Sequence, residues 1–527
     1  MKRFWVCIMA LLLALSSFAC LAETVDWTTP YEEPVDIHIA VVEATNAVFL
    51  EGEDYFDNMW WKLFREKYNV NVIVDWVASS EQYPTKLNLC IASNTLPDAF
   101  WCNAVQLNQL MDAGLLEPLN EVYESTASEG LKKMMEDNWD IVEVGIRDDN
   151  IYALPRLHYG YECETSMMWT RKDWSEAAGL TGFESLDDIK ALMDTFKQNN
   201  GASYGVVLEK TLDSFFRSAP LFNALPKIWY EGEDGTLVYG STQPAMKDAL
   251  AWWADLYANG YIRPDFGTLD QPAANEDFYN GKVGIAFWAN WAGWQVGQDM
   301  VNNQGDDTYF TAYDYPKSIS GEYVQYPVPF NNAAFNVVRK GYEHPEVLIK
   351  LLDAYNYVLN ESVATGGMTL EEVLPFNTDE MHHITGPFKL EFASYTDCKD
   401  VGHALETGEK DFHSGYGYIY YEEARTWKEE GALTGLGRYL QMGPNGGMQF
   451  GCDHVDRDQI AKCAVWGAKP QTMLDYGSTL DDILLEGFTM IIMGNESVDY
   501  FDTLVENWKM AGGDAVTEAV NEMYGGR

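Results

Sequence analysis

Residues 36–101 alternate between two kinds of hydrophobic pattern, and this alternation constrains the fold more than any other feature of the sequence. IHIAVVEA, NVIVDWV and LPDAFW are short apolar runs rich in β-branched and aromatic residues, which indicate strands. DNMWWKLFREKYNV and TKLNLCIAS lie between them and carry apolar residues at helical spacing. The order strand–helix–strand–helix–strand predicts a parallel sheet with helices packed against it.

Further α/β and helical patterns continue along the chain. LNQLMDAGLLEPLNEVYE predicts one helix with a Gly stop, TSMMWTRKDWSEAAGL a strand that leads into a helix, and SLDDIKALMDTFKQN a helix capped by Ser185. KVGIAFW predicts a strand, after which Asn290 is expected to cap a helix that begins at Trp291. The C-terminal segment is predicted to be mostly helical. The chain is therefore expected to contain two α/β regions followed by a helical C-terminal part.

The charge and composition exclude several classes of protein. The chain has 527 residues, a net charge of −46, 47% hydrophobic residues and 14% aromatic residues. This apolar share is that of a globular protein with a sizeable core. Such an acidic chain is a poor partner for nucleic acid, whose phosphates attract Lys and Arg, and for anionic membrane surfaces.

The N-terminus has the pattern of an export signal: two basic residues, the apolar run FWVCIMALLLALSSF, and then small residues. Cleavage after Ala22 would begin the mature chain at residue 23. Alternatively, Cys20 is the lipid-anchored first residue of a lipoprotein, although SSFAC lacks the Leu that usually stands three residues before that Cys. An uncleaved anchor is a third alternative, which Ser16 and Ser17 weaken.

The cysteines form no CxxC pair and no zinc-like spacing with His, so no metal site is predicted. Export permits disulfides. Cys90–Cys102 or Cys452–Cys463 could close short loops, but buried free thiols are an equal alternative.

Five stretches resemble segments of one known family when they are taken in order. NTLPDAFW is similar to a "G-x-x-PD-hydrophobic" strand, NIYALPR to a segment that crosses between two lobes, and WTRKDWSEAAGL to the element that opens the second lobe. FYNGKVGIAFW is similar to an "F-x-x-G-K-V-G-M" strand, and the chain from LLEGFTMIIMG onward to a family C-terminus. The family is that of ABC-transporter extracellular solute-binding proteins, family 1, LplA-like lipoprotein subgroup, and the resemblance spans about residues 36–524.

The resemblance implies an α/β, two-lobed periplasmic-binding-protein fold of type 2, with a hinge crossed more than once and a helical C-terminus. It implies capture of a carbohydrate, with an oligosaccharide expected first, in the cleft between lobes that close on it. A monomer that delivers this ligand to membrane permease subunits is expected, without catalytic residues, cofactor or nucleic acid. The implied segments are a signal peptide (1–22), a first α/β lobe (23–157), a second α/β lobe (158–329), a return to the first lobe (330–400) and a mostly helical part of the second lobe (401–527).

The chain departs from the family pattern in two places. Some oligosaccharide binders of this subgroup carry a calcium loop after the helix that corresponds to SLDDIKALMDTFK. Here QNNGASYG follows, without alternating carboxylates, so no calcium is expected. The second departure is the incomplete lipoprotein pattern before Cys20, which leaves the mode of anchoring open.

The tryptophans after the KVGIAFW strand are the first candidates for ligand contact. A pyranose presents a face of C–H groups that packs on an indole, while its hydroxyls need hydrogen bonds. Trp288 stands near the carboxyl end of the predicted strand, and Trp291 and Trp294 are spaced for one helix face. A core role is an equal alternative for each, because Trp is usually buried. We favour Trp288 and Trp291 over Trp294.

Other candidates lie at predicted strand ends, at the hinge crossings or in loops. In open α/β sheets, ligands bind outside the carboxyl ends of the strands. Each of these residues also has a plain structural interpretation, as a core, hinge, turn or surface residue. The further candidates are Trp101, Tyr159, Tyr161, Arg156, Asn331 and Trp466, with His158 and Asn332 beside them.

Two other functions remain as alternatives. A peptide-binding ABC component would share the fold and differ in its ligand. A secreted glycoside hydrolase would also use Trp platforms, together with two carboxylates about 5 to 10 Å apart. No HExxH or P-loop motif is present, and His382 and His383 are adjacent and so point to different sides of their element.

Overall fold

The computed structural model describes residues 26–526 except 45, 46, 48, 157–159, 306, 307, 330–333, 364, 391–394, 466 and 468. The chain forms two compact units. Unit 1 comprises the described residues within 1–156, 333–358 and 375–390, and unit 2 those within 157–332, 359–374 and 391–527. The predicted export signal lies outside the described residues. Within them, no helix has the length and apolar character needed to cross a membrane.

The strands are short, and most of them belong to one sheet in each unit. In chain order they are Val35–Val42 (β1), Val70–Ala78 (β2), Ala99–Cys102 (β3), Ile146–Arg147 (β4), Asn150–Ile151 (β5), Ala153–Pro155 (β6), Ser166–Arg171 (β7), Trp229–Glu231 (β8), Leu237–Tyr239 (β9), Ile285–Ala289 (β10), Phe310–Tyr313 (β11), Tyr326–Val328 (β12), Phe335–Val338 (β13) and Ile460–Lys462 (β14).

Helices connect these strands and make up most of the C-terminal part of the chain. In chain order they are Met59–Tyr68 (α1), Tyr83–Ser93 (α2), Ala104–Asp112 (α3), Asn120–Thr126 (α4), Glu129–Asp137 (α5), Trp139–Val142 (α6), Lys172–Ala177 (α7), Leu186–Asn199 (α8), Asp213–Ser218 (α9), Met246–Ala258 (α10), Gln271–Tyr279 (α11), Ala292–Gln304 (α12), Glu346–Asn356 (α13), Leu370–Asn377 (α14), Tyr395–Thr407 (α15), Gly415–Glu430 (α16), Leu436–Met442 (α17), Gly447–Asp456 (α18), Gln471–Ile492 (α19), Tyr500–Trp508 (α20) and Asp514–Tyr524 (α21).

Unit 1 is built on a five-stranded sheet with the order β2-β1-β3-β13-β6. β1 pairs in parallel with β2 and β3, which confirms the parallel arrangement predicted for the first three strands. β13 pairs antiparallel with both β3 and β6. Since two reversals restore the direction, β6 runs the same way as β1, β2 and β3. The carboxyl ends of these four strands therefore lie along one side of the sheet, which we call the carboxyl edge of unit 1.

The first helix shows how the sequence fixes local structure. The Asn58 side chain accepts a hydrogen bond from the Trp60 N–H at 3.0 Å and caps α1. Asn69 ends the helix in the left-handed region at φ 58°, a conformation that Asn tolerates. Trp60 is fully buried, with its ring 5.3 Å from Tyr355 and 4.9 Å from Phe376. The amphipathic pattern read from the sequence is therefore the core face of this helix.

Unit 2 contains an antiparallel three-stranded sheet, β10-β7-β11, and the larger hydrophobic core. The core joins α10 to the C-terminal helices α19, α20 and α21. Phe215 lies 6.3 Å from the Trp253 ring and 5.7 Å from Phe488, so aromatic rings from three distant stretches meet. The predicted helical C-terminus is confirmed and forms part of this unit.

The Gly stop predicted within LNQLMDAGLLEPLNEVYE is confirmed, because α3 ends at Asp112 and Gly114 takes a left-handed φ of 64°. The residues after Gly114 include a second helix, α4, which was not separated from the first in the prediction. Another local prediction is wrong. Asn290 does not cap α12, whose first turn has no side-chain cap. Its amide instead donates to the Glu162 carbonyl and to the Thr165 hydroxyl, which ties the end of β10 to the segment before β7.

The segment 330–400, predicted to return to the first lobe, is divided between the two units. β13 and α13 belong to unit 1, together with the 3-10 helix Thr378–Phe388, which packs along β1. Residues 359–374 and α15 belong to unit 2, because α15 packs against α16 and α18. Helix packing over long sequence separations, which periodicity does not encode, decides this division.

A buried carboxyl in unit 2 leads to a pH prediction. Burial raises the pKa of Asp397 to about 6. A hydrogen bond from Ser414 and attraction to His413 lower this pKa, whereas repulsion by Asp400 and Glu162 raises it. Between about pH 4 and 6 the folded chain keeps a proton that the unfolded chain has released. The free energy of unfolding should therefore fall as the pH rises through this window and then level off.

We expect Asp397→Asn to remove this contribution. Chemical unfolding at about pH 4 and pH 7 should show that the wild type loses about 1–3 kcal/mol more than the variant between the two values. Parallel pH profiles of the two proteins would contradict the assignment.

Candidate functional site

A stacked aromatic pair stands at the carboxyl edge of unit 1. Trp101 lies near the end of β3, and Tyr83 is the first residue of α2, which follows β2. The two rings are 4.4 Å apart and nearly parallel, at 7°. The Tyr83 hydroxyl donates to the Trp101 carbonyl at 3.2 Å, and burial raises the pKa of Tyr83, which keeps the phenol neutral. Tyr83 is fully buried and Trp101 half-buried, so the tyrosine holds the indole in place.

Arg156 joins this pair from the end of β6. Its backbone N–H donates to the Ala334 carbonyl at 2.9 Å, which continues the pairing of β6 with β13. Its guanidinium carbon lies 5.9 Å from the centroid of the Trp101 ring. Within the described part of the chain, neither Trp101 Nε1 nor Arg156 Nε has a hydrogen-bond partner. The edge therefore combines an aromatic surface with two buried N–H donors that have no partner among the described residues.

A second aromatic residue, Trp76 of β2, extends this surface. Its ring lies 4.9 Å from Tyr83 at 50°, and the Lys86 ammonium stands 4.7 Å from its centroid. Trp101 and Arg156 are among the site residues predicted from the sequence, whereas Tyr83 and Trp76 are not. The available signal was their position at a strand end and at the following helix start, because such positions share one edge in a parallel sheet.

Trp288 of β10 lies in the core of unit 2, contrary to its prediction as a sugar platform. It is only 4% exposed, and its ring lies 5.0 Å from Phe278 and 6.1 Å from Phe310. The reason is that every residue of β10 is buried, so the strand has no solvent-facing side on which an indole could be presented. The core interpretation, left open by the sequence, applies here.

Trp291 and Trp294 are exposed at the start of α12. Their exposed fractions are 37% and 51%, respectively. The Arg438 guanidinium carbon lies 5.9 Å from the Trp294 ring and 3.9 Å from the Tyr420 ring, and Arg438 Nε donates to Glu423 at 2.8 Å. Unit 2 thus presents two exposed tryptophans, and Arg438 lies between Trp294 and the half-buried Tyr420.

The remaining candidates are distributed as follows. Tyr161 is half-buried, and the Lys462 ammonium stands 4.0 Å from its ring. The described residues contain no cluster of His, Cys, Asp and Glu that could hold a metal ion, and the six cysteines among them are unbonded thiols. Tyr159, Asn331 and Trp466, with His158 and Asn332, lie outside the described residues.

A family model described as "Bacterial extracellular solute-binding protein" matches residues 49–355. The chain belongs to this family. The match includes β2, β3 and β6, three of the four strands whose carboxyl ends form the carboxyl edge of unit 1, and the exposed tryptophans of unit 2.

Two characterised relatives are similar to this solute-binding protein in sequence. Lipoprotein LipO of Bacillus subtilis is 25% identical over 486 residues, which cover 87% of each chain. The fructooligosaccharide ABC transporter substrate-binding protein FusA of Streptococcus pneumoniae is 27% identical over 148 residues, 26% of this chain and 27% of FusA.

Two solved structures share the fold. The HMO-binding, ABC-transporter-associated solute-binding protein of Bifidobacterium longum infantis aligns with a TM-score of 0.62 at 13% identity, over 93% of this chain and 98% of its own. The alginate-binding protein AlgQ2 aligns with a TM-score of 0.58 at 15% identity, over 95% and 99%. The predicted fold class, the two-lobed α/β fold of solute-binding proteins, is confirmed.

Proposed function

We propose that this protein is the carbohydrate-binding component of an ABC importer and that its ligand is an oligosaccharide. The observation that carries the proposal is the group formed by Tyr83, Trp101 and Arg156. A sugar ring can pack its C–H face on the held indole. Trp101 Nε1 and Arg156 Nε, which are buried without a partner among the described residues, would donate to its hydroxyl oxygens once the ligand reaches them. A site with flat aromatics and few polar groups suits this ligand class.

The names of similar proteins support the ligand class. FusA is named for fructooligosaccharides, and the two structural neighbours are named for HMO and for alginate. At these identities the likeness concerns the fold, so the sugar, its linkage and its length are not transferred. We propose Trp291 and Trp294 as secondary sugar contacts, because their indoles are exposed.

The proposed role is binding and delivery without covalent chemistry. The ligand is passed to permease subunits in the membrane, and a separate subunit hydrolyses ATP. We further propose export through the N-terminal segment, with lipid attachment at Cys20, as the name of LipO suggests, or release after Ala22. The prediction that the ligand lies between the two lobes stays a prediction.

A thermal-shift panel on the mature chain, residues 23–527, tests the proposal. A ligand at about 100 times its dissociation constant stabilises the folded chain by about 2.7 kcal/mol, which such a scan detects. We expect a shift with an oligosaccharide and recovery of the sugar intact by product analysis. A shift with short peptides only would replace the ligand class, and turnover of the sugar would overturn the proposal in favour of a hydrolase.

Arg156→Ala tests the polar half of the group. We expect about tenfold weaker binding of the oligosaccharide that gives the largest shift, because a hydrogen bond from a charged donor is lost. The control is Arg65→Ala, which removes an exposed arginine of α1 in the same unit. Equal affinities for the two variants, measured by calorimetry, would remove Arg156 from the site.

A further inference from the structure

Three cysteines that are far apart in sequence share one buried cluster of unit 2. Cys163, Cys398 and Cys452 pack together there with apolar residues of the helices around them. Cys398 belongs to α15 and Cys452 to α18, and both side chains are fully buried. The fold, rather than the short loops suggested by sequence spacing, thus determines which thiols meet.

Several contacts bring α15 and α18 together at the level of Cys398 and Cys452. The Gln449 amide donates to the Cys398 carbonyl at 2.5 Å, and the Cys452 thiol donates to the Tyr395 carbonyl at 3.7 Å. A Cβ atom built on Gly402 would lie 2.3 Å from the Gln449 amide nitrogen, so the helices approach closely because this residue has no side chain. Burial raises the pKa of the Cys398 thiol, and the neighbouring Cys452 raises it further.

We propose that Cys398 and Cys452 form a disulfide in the exported protein. Bonding requires two thiols whose backbones are held close together, which the contacts between α15 and α18 provide. It also requires an oxidising compartment, which bacterial proteins reach on export. The inference therefore rests on the export that forms part of the proposed function, but not on the identity of the ligand.

The bond forms by thiol–disulfide exchange with an oxidised thiol–disulfide oxidoreductase. One cysteine thiolate attacks the disulfide of the oxidant and gives a mixed disulfide, and the second thiolate then displaces the oxidant. Two protons leave the cysteines, and their two electrons reduce the disulfide of the oxidant to two thiols. Because burial raises the pKa of Cys398, the exchange takes place during folding, before α15 and α18 close over both thiols.

Peptide mapping without reduction tests the pairing. The mature chain is secreted by a bacterial host, quenched in acid, alkylated and digested with trypsin. Cys398 then lies in peptide 390–399, Cys452 in 439–457, Cys163 in 157–171, and Cys463 in a peptide that begins at residue 463. We expect 390–399 to be linked to 439–457. Complete alkylation of both cysteines, or a link from either of them to another cysteine, would overturn the proposal.

A stability measurement provides the second readout. A reductant present during thermal unfolding should lower the Tm of the wild type by several degrees, since the cross-link restricts the unfolded chain. Cys452→Ala should have lost this sensitivity, and the control Cys463→Ala should retain it. A wild-type Tm that is unaffected by reductant would contradict the bond. Both readouts are independent of sugar, so a negative ligand panel together with a linked peptide pair would change only the ligand class.

Discussion

Trp101→Ala should weaken oligosaccharide binding by about 10- to 100-fold, which corresponds to about 1.4–2.7 kcal/mol. The indole is held on Tyr83 at 4.4 Å, so little conformational freedom is lost when a sugar ring packs on it. Alanine removes both the apolar surface and the Nε1 donor, which has no partner in the described part of the chain. Calorimetric titration with the best oligosaccharide of the thermal-shift panel measures the change.

The matched control for Trp101→Ala is Trp139→Ala. Trp139 is also in unit 1, and its side chain is 53% exposed. Its removal should leave the affinity unchanged. A further variant, Trp101→Phe, keeps a ring but loses the N–H and should bind with intermediate affinity. If Trp101→Ala folds normally and binds like the wild type, the carboxyl edge of unit 1 is not the ligand platform.

Trp60→Ala should lower the free energy of unfolding of unit 1 by about 3–5 kcal/mol, the range for a large aromatic side chain removed from a core. Trp60 is fully buried and contacts Tyr355, Phe64 and Phe376, so alanine would leave a cavity among rings from α1, α13 and α14. Trp60 Nε1 has no hydrogen-bond partner among the described residues, so the loss is one of packing. Urea unfolding followed by circular dichroism measures it.

Trp139→Ala serves again as the control for Trp60→Ala, because replacement of an exposed side chain changes stability by no more than about 0.5 kcal/mol. If the two units unfold in separate transitions, the lower free energy of unfolding should appear in the transition of unit 1. A Trp60→Ala midpoint within the error of the control would show that α1 does not anchor the core of unit 1.

Local sequence determined the elements of unit 1 well. Helix α1 begins after Asn58, whose amide side chain caps the helix start, and it ends at Asn69, because Asn tolerates the left-handed conformation there. The alternation of strands and helices gave the parallel order of β1, β2 and β3, and it placed Trp101 at a strand end. Each of these results depends on residues that are near in sequence, so a single stretch of the chain holds the information needed to predict it.

Only the tertiary structure decided which side chains meet and which are covered. Trp288 and Trp291 stand three residues apart, yet one is buried by Phe278 and Phe310 and the other is exposed. Likewise, β13 pairs with β3 and β6 and so brings Arg156 beside Trp101. Burial and close approach depend on what distant segments place on either side of a residue, and a local pattern contains no information about that.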